Sequence, residues 1–154
     1  MADDTTDLPR NRRVMDEFRA NAGHVRLVTL ASDVPPEQLE GLPDPAILIL
    51  HTTGASSGLP RESPLGYLPV GDAYAVFGSN GARPTNPGWY HNVLADPNAT
   101  VEVGTETIPV RARVLDGDER ERVWTEQKEA QPGFADYEER MDRLVPVVLL
   151  EPRG

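Results

Sequence analysis

The chain contains no cysteine. That absence removes disulfides, thiolate metal sites, cysteine nucleophiles and thiol redox chemistry together. Long apolar runs are also missing: nothing approaches the roughly 18 consecutive apolar residues that a membrane-spanning helix requires. Lysine is nearly absent, Lys128 standing alone among 15 basic residues, and 25 acidic residues leave a formal net charge of −10. Such a balance argues against nucleic acid or an anionic membrane as a partner. His24, His51 and His91 neither cluster nor show H-E-x-x-H spacing, so no metal site is expected. G-x-S-x-G, glycine-rich dinucleotide and P-loop patterns are lacking too, which leaves serine-hydrolase and nucleotide-cradle chemistry without support.

What is present suits one domain. With 154 residues, 38% of them hydrophobic, the chain has material for a single core. Residues 1–10 read as a flexible lead and 11–154 as the domain. The acidic start Met1-Ala2-Asp3-Asp4 has no apolar signal core, so a cytoplasmic location is expected. Charge is unevenly spread: between Asp116 and Asp142 ten acids face four bases, whereas the stretch from Ile47 to Ala112 has few acids and several arginines. An anionic ligand is therefore expected in the latter.

Val14, Met15, Phe18 and Ala22 recur at helical spacing, and Gly23 supplies a stop. Residues 23–45, rich in proline, predict a long irregular connection. The continuous run Ile47-Leu48-Ile49-Leu50 predicts a strand buried on both faces. Residues 60–69 and 72–79 read as two arms of a hairpin. Val101 and Val103, then Ile108, Val110, Ala112 and Val114, alternate with polar residues on either side of Gly104-Thr105-Glu106 and predict a second hairpin. Asp116 with Glu119 predicts a capped helix to about Ala130, Pro132-Gly133 a break, Phe134–Arg140 a short helix, and Val145–Leu150 a last strand. About six antiparallel strands with a few helices make a small barrel with peripheral helices, in the α+β or mainly-β class.

Two segments carry the polar chemistry. Thr52-Thr53-Gly54-Ala55-Ser56-Ser57-Gly58-Leu59-Pro60-Arg61 combines hydroxyls, glycines and one arginine. Read from its residues alone it is first an ordinary hairpin corner and second an anion cradle of amides, hydroxyls and guanidinium. Gly78-Ser79-Asn80-Gly81-Ala82-Arg83 leads to Asn86-Pro87-Gly88-Trp89-Tyr90-His91-Asn92, where Asn86 is expected to cap a short helix. Trp89 there is either a plug of the barrel end or a ligand wall.

Taken in order, these residues resemble the deazaflavin-dependent nitroreductase family. The matching motifs are Thr52-Thr53-Gly54, Ser57-Gly58-Leu59-Pro60-Arg61 and Pro64-Leu65-Gly66-Tyr67. They continue with Ser79-Asn80-Gly81-Ala82, Asn86–Asn92, Asp96-Pro97, Gly133–Tyr137, Asp142-Arg143 and Val145-Pro146-Val147. The resemblance spans about residues 11–152. It implies a split β-barrel of the FMN-binding type that binds coenzyme F420 and passes a hydride to a conjugated acceptor: a quinone, an enone or a nitro compound. It further implies that Ala55, Ser56, Ser57 and Arg61 face the coenzyme's phosphate and tail, with Ser63, Pro64 and Leu65 continuing that wall. Phe77, Gly78, Ser79 and Asn80, with Gly88, Trp89, Tyr90, His91 and Asn92, would line the ring. Phe134 and Tyr137 would close the substrate side, with Ser79 and Tyr137 as the catalytic pair. Where the family pattern carries Arg-Lys after Thr-Thr-Gly, this chain has Ala55-Ser56. That departure leaves two other readings: a barrel that binds a small apolar ligand without F420, and an FMN-binding oxidoreductase. Related barrels often pair, so a homodimer is the assembly to test.

Overall fold

Period-two alternation of apolar residues organises the molecule. The computed structural model describes residues 9–31, 34–79 and 84–153. Strand β1 (Ile47–Thr53) sends Leu48 and Leu50 into one buried cluster and Ile47 and Ile49 into another. β4 (Ala73–Phe77) and β7 (Val147–Pro152) do the same: Val76, Val148 and Leu150 face inward, while Ala75, Phe77, Val147 and Leu149 face outward. These are the strands whose sequence shows no polar face. They need none, because helices cover their outer side.

The remaining strands are β2 (Pro60–Gly66), β3 (Leu68–Val70), β5 (Asn98–Val103) and β6 (Glu106–Val114). All pairings are antiparallel, in the order β2-β1-β5-β6-β7-β4-β3. The two edge strands, β2 and β3, are separated in sequence by Tyr67 alone. A sheet whose opposite edges are joined by one residue has to curl, which makes this a split barrel rather than a flat sheet. Tyr67 packs edge-on against Tyr74 at the seam, ring centroids 5.4 Å apart.

The barrel interior holds Leu48, Leu50, Val76, Val101, Val110 and Val148, and α4 (Gly88–Ala95) inserts Trp89 and Val93 into it. α5 (Gly117–Ala130) and α6 (Gly133–Arg140) cover the outer face of β4 and β7 through Trp124, Val123 and Phe134. α1 (Pro9–Ala20) covers the outer face of β1 with Val14, Met15 and Phe18. Two single-turn helices, α2 (Leu27–Leu30) and α3 (Pro36–Leu39), follow. None of the helices among the described residues is long and apolar enough to cross a membrane.

Several expectations are corrected. Pro9 and Arg10 belong to α1, not to a flexible lead, while residues 1–8 lie outside the described residues. Ala22 is past the helix at φ 53°, exposed; the Gly23 amide donates to Phe18 O, which closes the turn. The connection 23–45 is not wholly irregular, since it contains α2 and α3. The arm 60–69 divides: residues 60–66 pair with β1, and only Leu68–Val70 form a hairpin with β4. Asp116 stands at the α5 N-terminus without a side-chain capping bond, and Glu119 pairs with Arg113 instead.

α1 is further fastened by charge. Arg19 donates to Glu62 at 2.5 Å and to Glu102 at 2.7 Å, and His51 Nε2 lies 2.6 Å from Glu102. His51, Glu62 and Glu102 bring potential ligand atoms within 4.8 Å of one another. The Arg19 guanidinium stands between the two carboxylates, so an internal cation already satisfies them. Hydrogen bonding from Arg19 first, and from His51 second, lowers the Glu102 pKa. A depressed carboxylate stabilises the fold above its unfolded pKa of about 4.3 and loses that contribution as pH falls through the folded value. Arg19→Met should therefore lower stability by a constant amount from pH 7 to about 5, with the gap to wild type closing below about pH 4. Denaturant midpoints across that range test it; a gap that persists at pH 3 would assign the loss to packing.

Candidate functional site

The turn between β1 and β2 is built by two glycines. Gly54 donates to Leu59 O at 2.8 Å and accepts from the Gly58 amide at 2.9 Å. A Cβ on Gly54 would lie 2.5 Å from Ser57 Oγ, and Gly58 sits at φ +71°, so neither position takes a side chain without strain. Ala55, Ser56, Ser57, Gly58 and Leu59 are all exposed. Arg61, half-buried, reaches back to Ser57 Oγ at 3.4 Å. Residues 52–61 contain no acid. The amides of Gly54, Ala55, Gly58 and Leu59 are bonded within the protein, so the exposed serines and the Arg61 guanidinium are the donors this acid-free corner offers an anion.

Asn92 ties this corner to α4. Its Oδ1 accepts from the Ala55 amide at 2.9 Å and its Nδ2 donates to Thr52 Oγ1 at 3.0 Å, both Asn92 and Thr52 being buried. Asn92, expected beside a ring, thus spends its amide inside the protein. The Ala55 N–H is turned inward by the same bond, which leaves Ser56, Ser57 and Arg61 as the outward donors. On β2 the period-two rule separates three neighbours expected to share a wall. Ser63 and Leu65 oppose the interior residues Leu50 and Leu48, whereas Pro64 opposes the outward Ile49. Pro64 therefore lies on the opposite strand face from Ser63 and Leu65.

The second corner lies where β4 ends. Phe77 faces outward into the α5–α6 cluster, against Trp124 at 5.8 Å and Phe134 at 5.9 Å between ring centroids, so it backs the site and does not line the barrel interior. Gly78 donates to Pro146 O at 2.9 Å, and a Cβ there would meet Pro146 Cγ at 2.8 Å and Pro87 Cδ at 3.4 Å. Ser79 follows, half-buried; Asn80 and Arg83 lie outside the described residues. Asn86 does not cap α4. Pro87 takes the cap position without a side-chain bond, and Asn86 Oδ1 accepts from Arg143 Nη1 at 2.5 Å. Arg143 also donates to Gly78 O and Ser79 O, each at 3.0 Å, and its partial burial lowers its pKa. The Asp142-Arg143 motif marks this residue in the sequence but not its role, since its partners lie 57 to 65 positions away.

On α4, Gly88 and Trp89 are buried, Tyr90 is half-buried and His91 is exposed. Trp89 packs among Leu48, Leu50, Val76 and Val93, the plugging arrangement. α6 brings Phe134 against Phe77 and, 5.4 Å further on, Tyr137, whose ring carries the Arg140 guanidinium at 5.4 Å. Phe134 and Tyr137 are thereby carried to the outer face of the β4 end. Pro87 and Asn86 touch this corner while Asn92 touches the first, so α4 spans both. A separate concavity of about 480 Å³ lies between α2 and α3, lined by Leu27, Val28, Leu39 and Leu42; none of its lining residues belongs to either corner.

Residues 25–152 match the model of a family described as F420H(2)-dependent quinone reductase. An F420H(2)-dependent quinone reductase of Mycobacterium tuberculosis is 38% identical over 112 residues, covering 71% of this chain and 75% of that protein. A solved F420H2-dependent reductase is 42% identical, with a TM-score of 0.63, over 68% of this chain and 93% of its own. A second solved chain, described as a domain-swapped dimer, is 35% identical with a TM-score of 0.64 and covers 89% of this chain and 98% of its own.

Proposed function

This chain belongs to the F420H(2)-dependent quinone reductase family and is an F420H2-dependent reductase, and we propose that it delivers the hydride to a quinone, enone or nitro acceptor held between Ser79 and Tyr137. Coenzyme F420 is its cofactor. The reading rests on one observation: the acid-free Gly54–Arg61 corner is locked by Asn92 to the helix that also meets the Gly78–Ser79 corner.

The residues present fit the coenzyme. A Cβ at Gly54 would collide with Ser57 Oγ, so the turn keeps its tight shape only with glycine there; residues 55–60 are exposed, and Ser56, Ser57 and Arg61 are of the types that bind phosphate. Arg61, Ser57 and Ser56 would hold the phosphate and tail. Bound F420H2 supplies a hydride equivalent from its deazaflavin ring. The chain's own part is to orient and exclude water. Trp89 and Val93 seal the barrel end behind the ring site. Ser79 Oγ donates to the acceptor oxygen as charge develops on it, and the Tyr137 phenol supplies the proton. Phe134 packs against Tyr137 and holds that wall. Ala55 and Ser56, where the resembling family carries Arg-Lys, make Arg61 the principal charge at the corner.

Arg61→Ala should weaken F420 binding about 10- to 100-fold, the loss of one charge-assisted hydrogen bond worth about 1.5–3 kcal/mol. Tryptophan fluorescence titration with F420, FMN and FAD reads it. FMN-selective quenching, or equal F420 affinity in wild type and variant, would overturn the assignment of this corner. Because a solved relative is described as a domain-swapped dimer, a paired assembly is part of the proposal, readable by size-exclusion with light scattering.

A further inference from the structure

We propose that Arg143 is a positioning residue that aims the Ser79 hydroxyl, an inference that rests on the acceptor-side role given to Ser79 above. The argument is geometric. A peptide unit is a rigid plane, and a residue's φ and ψ are the rotations of the two planes that flank its Cα. Gly78 O belongs to the plane before Ser79 Cα and Ser79 O to the plane after it. Arg143 binds both, Nη1 to Gly78 O and Nη2 to Ser79 O, each at 3.0 Å. Holding both planes sets φ and ψ of Ser79 and so the direction of its Cα–Cβ bond, leaving only the side-chain rotation free.

The same Nη1 reaches Asn86 Oδ1 at 2.5 Å, tying the approach to α4 to the same point. The guanidinium is planar, so its two terminal nitrogens hold these oxygens at a spacing that a lysine ammonium does not reproduce. The platform behind it is stiff. Gly78 donates to Pro146 O, and its missing Cβ leaves room for the Pro146 ring. Phe77, one residue earlier, is buried against Trp124 and Phe134. The connection from α6 to β7 thus grips the exit of β4 at consecutive residues, with Ser79 last before the acceptor.

Single-turnover oxidation of F420H2 by a quinone is compared in wild type, Arg143→Met, Ser79→Ala and the double variant. Arg143→Met is expected to slow the reaction about 10- to 100-fold, the cost of misplacing a reacting group by about 1 Å. In the Ser79→Ala background the same change should matter by no more than about twofold. Effects that multiply across the two sites would overturn the proposal, as would a folded Arg143→Met with an undiminished rate. A second readout needs no coenzyme: backbone chemical shifts of residues 78 and 79 in the unliganded chain should move in Arg143→Met, and unchanged shifts would also overturn it. A wild type that fails to oxidise F420H2 would instead sink the functional reading, with the shifts still deciding the geometric claim. Arg143→Lys, which keeps the charge and most of the volume, carries the same comparisons should Arg143→Met not fold.

Discussion

Ser79→Ala should slow single-turnover reduction of a quinone acceptor by about 10²-fold, with F420 affinity close to wild type. The magnitude is that of removing one preorganised donor from a site where charge develops in the transition state. In the proposed role the backbone on either side of Ser79, two residues past β4, is set in advance, because its carbonyl and that of Gly78 are both held by Arg143. A donor whose backbone is set before the acceptor arrives has only its side-chain rotation left to order, which separates it from water. Stopped-flow absorbance of the coenzyme gives the rate and fluorescence titration the affinity. Equal rates in Ser79→Ala and Tyr137→Phe would remove both residues from the acceptor side. A loss confined to F420 binding would move Ser79 to the coenzyme wall.

Trp89→Ala should cost about 3–5 kcal/mol of folding stability, the range for truncating a large buried aromatic. For a chain of this size that corresponds to a fall in Tm of roughly 10 °C. Trp89 is 5% exposed and lies among Leu48, Leu50, Val76 and Val93, inside the barrel end. Its removal leaves a void bounded by β1 and β4, elements that cannot collapse inward without breaking their ladders. Trp89→Phe should recover most of the loss. Urea unfolding of the unliganded chain decides the point. A cost below about 1 kcal/mol, with coenzyme affinity greatly reduced, would make Trp89 a ligand wall and not a plug.

Much of the fold was legible in the residues because it is local. The run Ile47–Leu50, the alternation either side of Gly104-Thr105, and the helix to Ala130 are each carried by a period that a dozen residues display. The acid-free corner at 54–61 and the short helix after Pro87 were readable for the same reason. What the residues did not show falls where a partner is distant. Asn86 has the look of a cap, but Arg143, 57 positions on, takes its oxygen. Pro64 stands between two wall residues and faces the other way, because strand alternation overrides sequence adjacency. That Phe77 packs under α5 and α6 could not be read from β4 alone.

By itself, then, the order of residues determined which positions alternate, where the chain turns, and which short segments carry donors without acids. Those properties depend on neighbours a few residues apart. Only the tertiary structure decided that the segment 60–70 serves both edges of one sheet, that α4 plugs the curl this creates, and that a guanidinium from the last connection holds both peptide planes at Ser79. Such contacts join residues tens of positions apart, and their geometry exists only once the strands have closed around a common interior.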